Sequence, residues 1–284
     1  MRSFHIMKWA GAPCFMLALL ACSSIRADDA VTLSRAKMDD HGFLVHEVRS
    51  PFQARTTLIR VLLPEKLEKG KKYPVVYVLP VEAGTETRYG DGLREIQKLN
   101  LHQTRQVIFV APTFSQLPWY ADHPTKSEVR QESYFLKVVV PCIDRTYPVR
   151  AEPDGRLLLG FSKSGWGAWS LLLRRPDLFG KAVAWDAPLM MDRPGKYGSG
   201  DIFGTQANFD GYRISKLLAD RAVKLQKEKR LLLLGYGNFR AEHVQVHALM
   251  DRLTIAHHYQ DGPARQHDWH SGWVHEAVDR LLDR

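Results

Sequence analysis

Short apolar runs recur along the chain with amphipathic segments between them. Phe43 to Val48 and Thr56 to Leu63 alternate polar and apolar positions, as antiparallel strands with one wet face do. Pro74 to Leu79, Val107 to Ala111, Leu157 to Gly160, Ala182 to Trp185 and Leu231 to Gly235 are instead compact, apolar and bounded by turn residues. Runs of that kind predict strands buried on both faces of a parallel sheet. Helices are predicted over Leu93 to Leu99, Val129 to Thr146, Trp166 to Leu173, Ile214 to Leu225, Ala241 to Leu253 and Val274 to Leu282. Strands alternating with helices imply right-handed crossovers and a three-layer α/β sandwich, with the first two strands as an antiparallel edge. Chemistry in such a sheet collects at the carboxyl ends of the strands.

The first residues follow a different pattern. Arg2 and Lys8 precede an uncharged, mostly apolar stretch from Trp9 to Ala21, too short to span a bilayer comfortably and suited to a signal-peptide core. Cleavage after Ala27 would release a soluble chain from Asp28. Leu19-Leu20-Ala21-Cys22 also resembles a bacterial lipobox, which would leave Cys22 lipidated and membrane-anchored. The expectation is a signal peptide over 1–27, a single domain over 28–284, and an exported, periplasmic or extracellular protein. Membrane contact is expected only through that anchor.

Composition adds exclusions. With 45% hydrophobic and 25% charged residues in 284, the chain is ordinary globular material. Cys14 and Cys22 belong to or adjoin the leader, so Cys142 stands alone and no disulfide framework is expected. The net charge of +9 includes Arg2, Lys8 and Arg26. The basic runs Lys66 to Lys72 and Lys224 to Arg230 read as solvated surfaces. No helix-turn-helix, zinc finger or aromatic RNA platform accompanies them, so no nucleic-acid partner is expected. No nucleotide-phosphate loop is present either.

The chemistry gathers around Gly160-Phe161-Ser162-Lys163-Ser164-Gly165, where a buried strand turns sharply into a helix. Such a turn exposes a serine hydroxyl, and small residues two positions either side let the backbone close on itself. Gly160 meets that need; the other flank is Ser164. Ser162 is the candidate nucleophile and Ser164 the lesser one. The helix beginning near Lys163 brings backbone N–H groups and a positive dipole end, which suit a developing oxyanion.

Around that turn the chain resembles the esterase D and feruloyl-esterase-like branch of the α/β-hydrolases, from about Phe52 to Trp273. Tyr73 to Leu79 is similar to the strand before that family's oxyanion loop, and Val107 to Pro112 with Trp119-Tyr120 to its next strand and substrate-side loop. Tyr134 to Tyr147 and Arg175 to Gly180 resemble the segments flanking the elbow. The resemblance implies an α/β-hydrolase fold without cofactor and a serine esterase acting through an acyl-enzyme. It also selects His267, in Gly262-Pro263-Ala264-Arg265-Gln266-His267, as the general base, with His270 a nearby alternative. Where the family carries its aspartate this chain has Asn238, so the acid stays open between Asp186, at the end of a predicted strand, Glu242 and Asn238. The oxyanion loop reads Pro80-Val81-Glu82-Ala83-Gly84 in place of the family's His-Gly. Val81 or Glu82 would then supply a backbone N–H beside that of Lys163.

Trp119, Tyr120, Trp166 and Trp269 are candidates to line the substrate site. Small-molecule or carbohydrate esters, including acyl and feruloyl groups, are the expected substrates. Acyl transfer to sugar hydroxyls and non-catalytic binding on the same fold are the competing functions. For metals, His243 and His247 share a helical face, and His257, His258, His267, His270 and His275 add to the count. Spacing fixes no third ligand and there is no HExxH, so no metal site is expected.

Overall fold

The computed structural model describes Met1, residues 30–85 and residues 87–283. Beyond Met1, the predicted leader, with Cys22, lies outside the described residues. Among the described residues, ten strands form one mixed sheet: β1 (Thr32–Leu33), β2 (Lys37–Met38), β3 (Leu44–Arg49), β4 (Thr57–Leu62), β5 (Val75–Val78), β6 (Ile108–Pro112), β7 (Arg156–Phe161), β8 (Lys181–Trp185), β9 (Leu231–Tyr236) and β10 (His257–Ala264). Their spatial order is β1-β3-β4-β6-β5-β7-β8-β9-β10, with β2 paired to β3. Pairing is antiparallel from β1 through β4 to β6 and parallel from β6 to β10. The fold is therefore the expected three-layer α/β sandwich with an antiparallel N-terminal edge.

The helices are α1 (Gly92–Lys98), α2 (Leu101–Thr104), α3 (Gln131–Tyr134), α4 (Val140–Thr146), α5 (Ser162–Arg174), α6 (Gly200–Phe203), α7 (Gln206–Asp210), α8 (Ile214–Arg221), α9 (Arg240–Arg252) and α10 (Val274–Leu282). None of those in the described residues is long and apolar enough to cross a membrane.

Two-residue periodicity divides the strands between two cores. Val75, Tyr77, Ile108, Val110, Leu158, Ala184 and Leu233 face one side with α5 and α8. Val76, Val78, Phe109, Leu159, Val183, Trp185 and Leu234 face the other with α1 and α10. Each of these side chains is at most 3% exposed. At about 25 cal/mol per Å² of apolar surface, two cores of this kind supply the main driving force for folding.

Two elements depart from the sequence pattern. The helix expected without interruption over Val129 to Thr146 contains a π-helical turn, Phe135–Val139, between α3 and α4. Pro141 has no N–H to offer the carbonyl four residues back, and the widened turn absorbs that missing bond. Strand β10 was not expected at all. Its first five residues, His257-His258-Tyr259-Gln260-Asp261, are polar because it is the sheet edge and only partly covered.

Candidate active site

Strand β7 ends at Phe161 with extended backbone, and Ser162 then turns to φ +52°. That left-handed conformation is costly for a residue with a Cβ, and strain of this kind is held only where the surroundings fix it. Several contacts do so. A Cβ on Gly160 would lie 2.3 Å from the Ser164 carbonyl oxygen, so the turn needs glycine there. The Ser164 hydroxyl accepts from the Phe161 N–H at 3.1 Å and lies 2.9 Å from the Phe161 carbonyl. Fully buried, Ser164 has its hydroxyl engaged on the backbone and braces the elbow.

Strand β8 delivers Asp186 alongside. The Asp186 carbonyl accepts the Ser162 N–H at 3.1 Å, and the Ala187 N–H of the same peptide donates to His243 Nε2 at 2.9 Å. The peptide after Asp186 is thus held from both sides, and the backbones of Ser162 and Asp186 are tied directly together. The Asp186 side chain is wholly buried, and its Oδ2 lies 2.5 Å from His267 Nδ1. Its oxygens also accept from the backbone N–H groups of Asn238 (2.8 Å) and Phe239 (2.7 Å). Burial opposes the charge. The His267 hydrogen bond and the N–H groups of Asn238, Gly237 and Phe239 outweigh it and hold the carboxyl below its ordinary range. Gly237 is required here, because a Cβ would meet Asp186 Oδ2 at 2.6 Å.

Of the three candidates for the acid's place left open by the sequence, Asp186 is the one brought to His267. Asn238 contributes only its backbone N–H. Glu242 is turned to the Met190 N–H at 2.8 Å, and burial raises its pKa. His270 is likewise occupied elsewhere, its Nδ1 2.7 Å from the buried Glu95 carboxylate.

The imidazole of His267 packs edge-on against Phe161, the residue before Ser162, with ring centroids 5.1 Å apart. Tyr89 and Phe239 flank it at 5.5 and 5.8 Å. These two half-buried aromatics stand at the histidine, and the sequence reading missed them. Phe239 had a signal, since it adjoins Asn238 in the segment similar to the family's acid position.

The four aromatics expected to line substrate are buried supports instead. Trp119 and Trp166 pack on one another and on Phe203, and Trp269 packs on Phe161 and Trp273. Tyr120 lies over Gly167, where a Cβ would come within 2.1 Å of its ring, and donates its hydroxyl to the Pro80 carbonyl at 2.7 Å. All four are no more than 1% exposed. A peptide's C=O and N–H point opposite ways, so this bond also fixes the Val81 N–H. Lys163, second in α5, carries one of the N–H groups that a helix's first turn leaves without an intrahelical acceptor. Glu82, an awkward charge beside an oxyanion, is paired with Lys163 Nζ at 3.4 Å. Burial nevertheless lowers the Lys163 pKa more than Glu82 raises it.

The clamp from His243 has a measurable consequence. Burial is the main cause lowering its pKa to about 4. Below about pH 6.5 the unfolded chain binds a proton that the native ring does not, so stability falls as pH drops from about 6.5 towards about 4. The loss from this group reaches about 3 kcal/mol. Melting temperatures at pH 7 and 4.5 should show it, and His243→Gln, which keeps an acceptor for the Ala187 N–H, should flatten the slope.

Sheet order, the elbow at the end of β7 and a histidine after the last strand define an α/β-hydrolase. The family model described as "Putative esterase" matches residues 52–233, and the chain belongs to that family. Esterase Rv1288 of Mycobacterium tuberculosis is 28% identical over 143 residues, covering 48% of this chain and 30% of that protein's length. Among solved structures, the S-formylglutathione hydrolase FrmB of Staphylococcus aureus superposes with TM-score 0.68 at 18% identity, covering 85% of this chain and 98% of its own. The fluorophosphonate-binding serine hydrolase FphF of Staphylococcus aureus gives 0.69 at 18%, covering 88% and 100%. A ferulic acid esterase gives 0.65 at 18%, covering 89% and 95%.

Proposed function

We propose that the chain hydrolyses carboxylic esters through an acyl-enzyme on Ser162. The observation that carries this is the tie between elbow and acid: Asp186 holds His267 Nδ1 through its side chain and the Ser162 N–H through its carbonyl. With Nδ1–H donating to Asp186, Nε2 keeps its lone pair and can take the Ser162 proton. Oγ then attacks the ester carbonyl. The resulting oxyanion is met by the N–H groups of Lys163 and Val81, donors that need no rearrangement as charge develops. Imidazolium returns the proton to the departing alkoxide. Water, deprotonated by the same nitrogen, releases the acid and restores the serine.

Small esters and acyl or feruloyl esters of carbohydrate are the substrates proposed, with Tyr89 and Phe239 as the aromatic walls beside His267. Turnover of p-nitrophenyl acetate and methyl ferulate above the buffer rate is the test. A folded protein that turns over neither contradicts the reading. Export through the 1–27 leader is proposed on its charge and apolar pattern. The mass of the mature protein from its native host should then correspond to a chain beginning at Asp28, and uncleaved cytoplasmic protein would count against it.

A further inference from the structure

The pair His243 and His247, which share a helical face in the sequence, is not a metal pair, because His243 Nε2 is committed to the Ala187 N–H. His247 meets a different histidine. Strand β10 begins with His257, and its Nε2 lies 2.8 Å from His247 Nδ1. Asp251, one turn beyond His247 on α9, closes the group. Its carboxylate oxygens lie 3.5 Å from His247 Nε2 and 3.9 Å from His257 Nε2. One ligand atom from each of the three residues falls within 4.8 Å of the others.

We propose that His247, Asp251 and His257 form a zinc-binding site clipping α9 to the edge strand β10. Two imidazoles and one carboxylate are a donor set that suits divalent zinc, with water completing a tetrahedron. The His257 ring is prepared for it. Its Nδ1 lies 2.8 Å from the Ile255 carbonyl, so Nδ1 carries the proton and Nε2 presents a lone pair. A backbone carbonyl fixing the tautomer of a histidine in this way is the usual outer contact of a metal ligand. The His247 ring is held by stacking on Tyr259, centroids 3.9 Å apart and planes 23° apart. The Asp251 side chain is 60% exposed, which leaves an entry path and room for water.

Without a metal, His247 Nδ1–H donates to the His257 Nε2 lone pair. Zinc takes the place of that hydrogen bond, and the His247 proton passes to Nε2 of the same ring. Zinc–nitrogen bonds of about 2.0–2.1 Å in tetrahedral geometry require the two nitrogens to separate by roughly half an ångström. A shift of that size is open to rings at a sheet edge. The site lies where β10 begins, at the opposite end of that strand from the loop bearing His267, so bound zinc would brace the strand that carries the histidine without touching it.

The test is calorimetric titration of the chelator-stripped full chain with zinc chloride, paired with melting curves. One equivalent should bind saturably, and zinc at about a hundredfold excess over its dissociation constant should raise the melting temperature by about 5 °C or more. Asp251→Asn, an exposed change that spares the fold, should weaken binding at least tenfold. The double variant His247→Gln/His257→Gln should abolish it. His275→Gln removes another exposed histidine that stands one turn from an aspartate and should change nothing. Absence of a one-equivalent site, or binding unaltered by Asp251→Asn and the double variant, overturns the proposal, as does loss of binding in His275→Gln.

Discussion

Ser162→Ala should lower kcat/KM on p-nitrophenyl acetate by roughly 10⁵-fold or more, the scale seen when a triad serine is removed. The fold should be unharmed. The bonds that hold the elbow come from the Ser162 backbone N–H, the Ser164 hydroxyl and the close approach at Gly160, none of which involves the Ser162 Oγ. Alanine at φ +52° carries the same backbone strain as serine, so the melting temperature should stay near that of the wild type. A large loss of activity without loss of stability separates a nucleophile from a structural serine. Ser164→Ala should show the reverse emphasis, because its hydroxyl braces Phe161.

Asp186→Asn should lower kcat by roughly 10⁴, for a reason visible in its hydrogen bonds. The carboxylate receives His267 Nδ1–H and the N–H groups of Asn238 and Phe239 among its donors. An amide has one acceptor oxygen and one donor group. If the NH₂ faces His267, Nδ1 must become the acceptor and the proton moves to Nε2, where it blocks the base. If the NH₂ faces the backbone, it confronts an N–H with no acceptor between them. Activity and stability should therefore fall together in this variant, unlike Ser162→Ala. Glu242→Gln, acting only on the Met190 N–H, should leave turnover within a few-fold of wild type and so mark the difference between the two carboxylates.

Most of the fold was legible because its parallel strands are buried on both faces and read as apolar blocks bounded by turns. The site was legible only in part. The elbow is local, a strand (Arg156–Phe161) that turns straight into a helix (Ser162–Arg174), so its pattern survives in one dimension. The acid is not local. Asp186 and Asn238 lie 52 positions apart yet meet through a hydrogen bond, and nothing in the spacing shows that a carboxylate from β8 occupies the place suggested by Asn238. The aromatics misled for a related reason: Trp119, Trp166 and Trp269 stand near the active-site elements in sequence but point into the cores. His247 and His257 come from a helix and from an edge strand too polar to be recognised, so their meeting had no periodic signal.

The departures at Asn238 and in the oxyanion loop are what would favour a scaffold that binds without catalysis. With Asp186 at His267 and the Pro80–Val81 peptide pinned by Tyr120, both functions have a residue able to serve them. The most direct measurement is therefore covalent trapping with a fluorophosphonate, read by intact mass and peptide mapping. The account predicts one adduct per chain on Ser162, formed at a rate that drops steeply in Asp186→Asn and absent in Ser162→Ala. A folded wild-type protein that takes no label, or takes it on another residue, would contradict it.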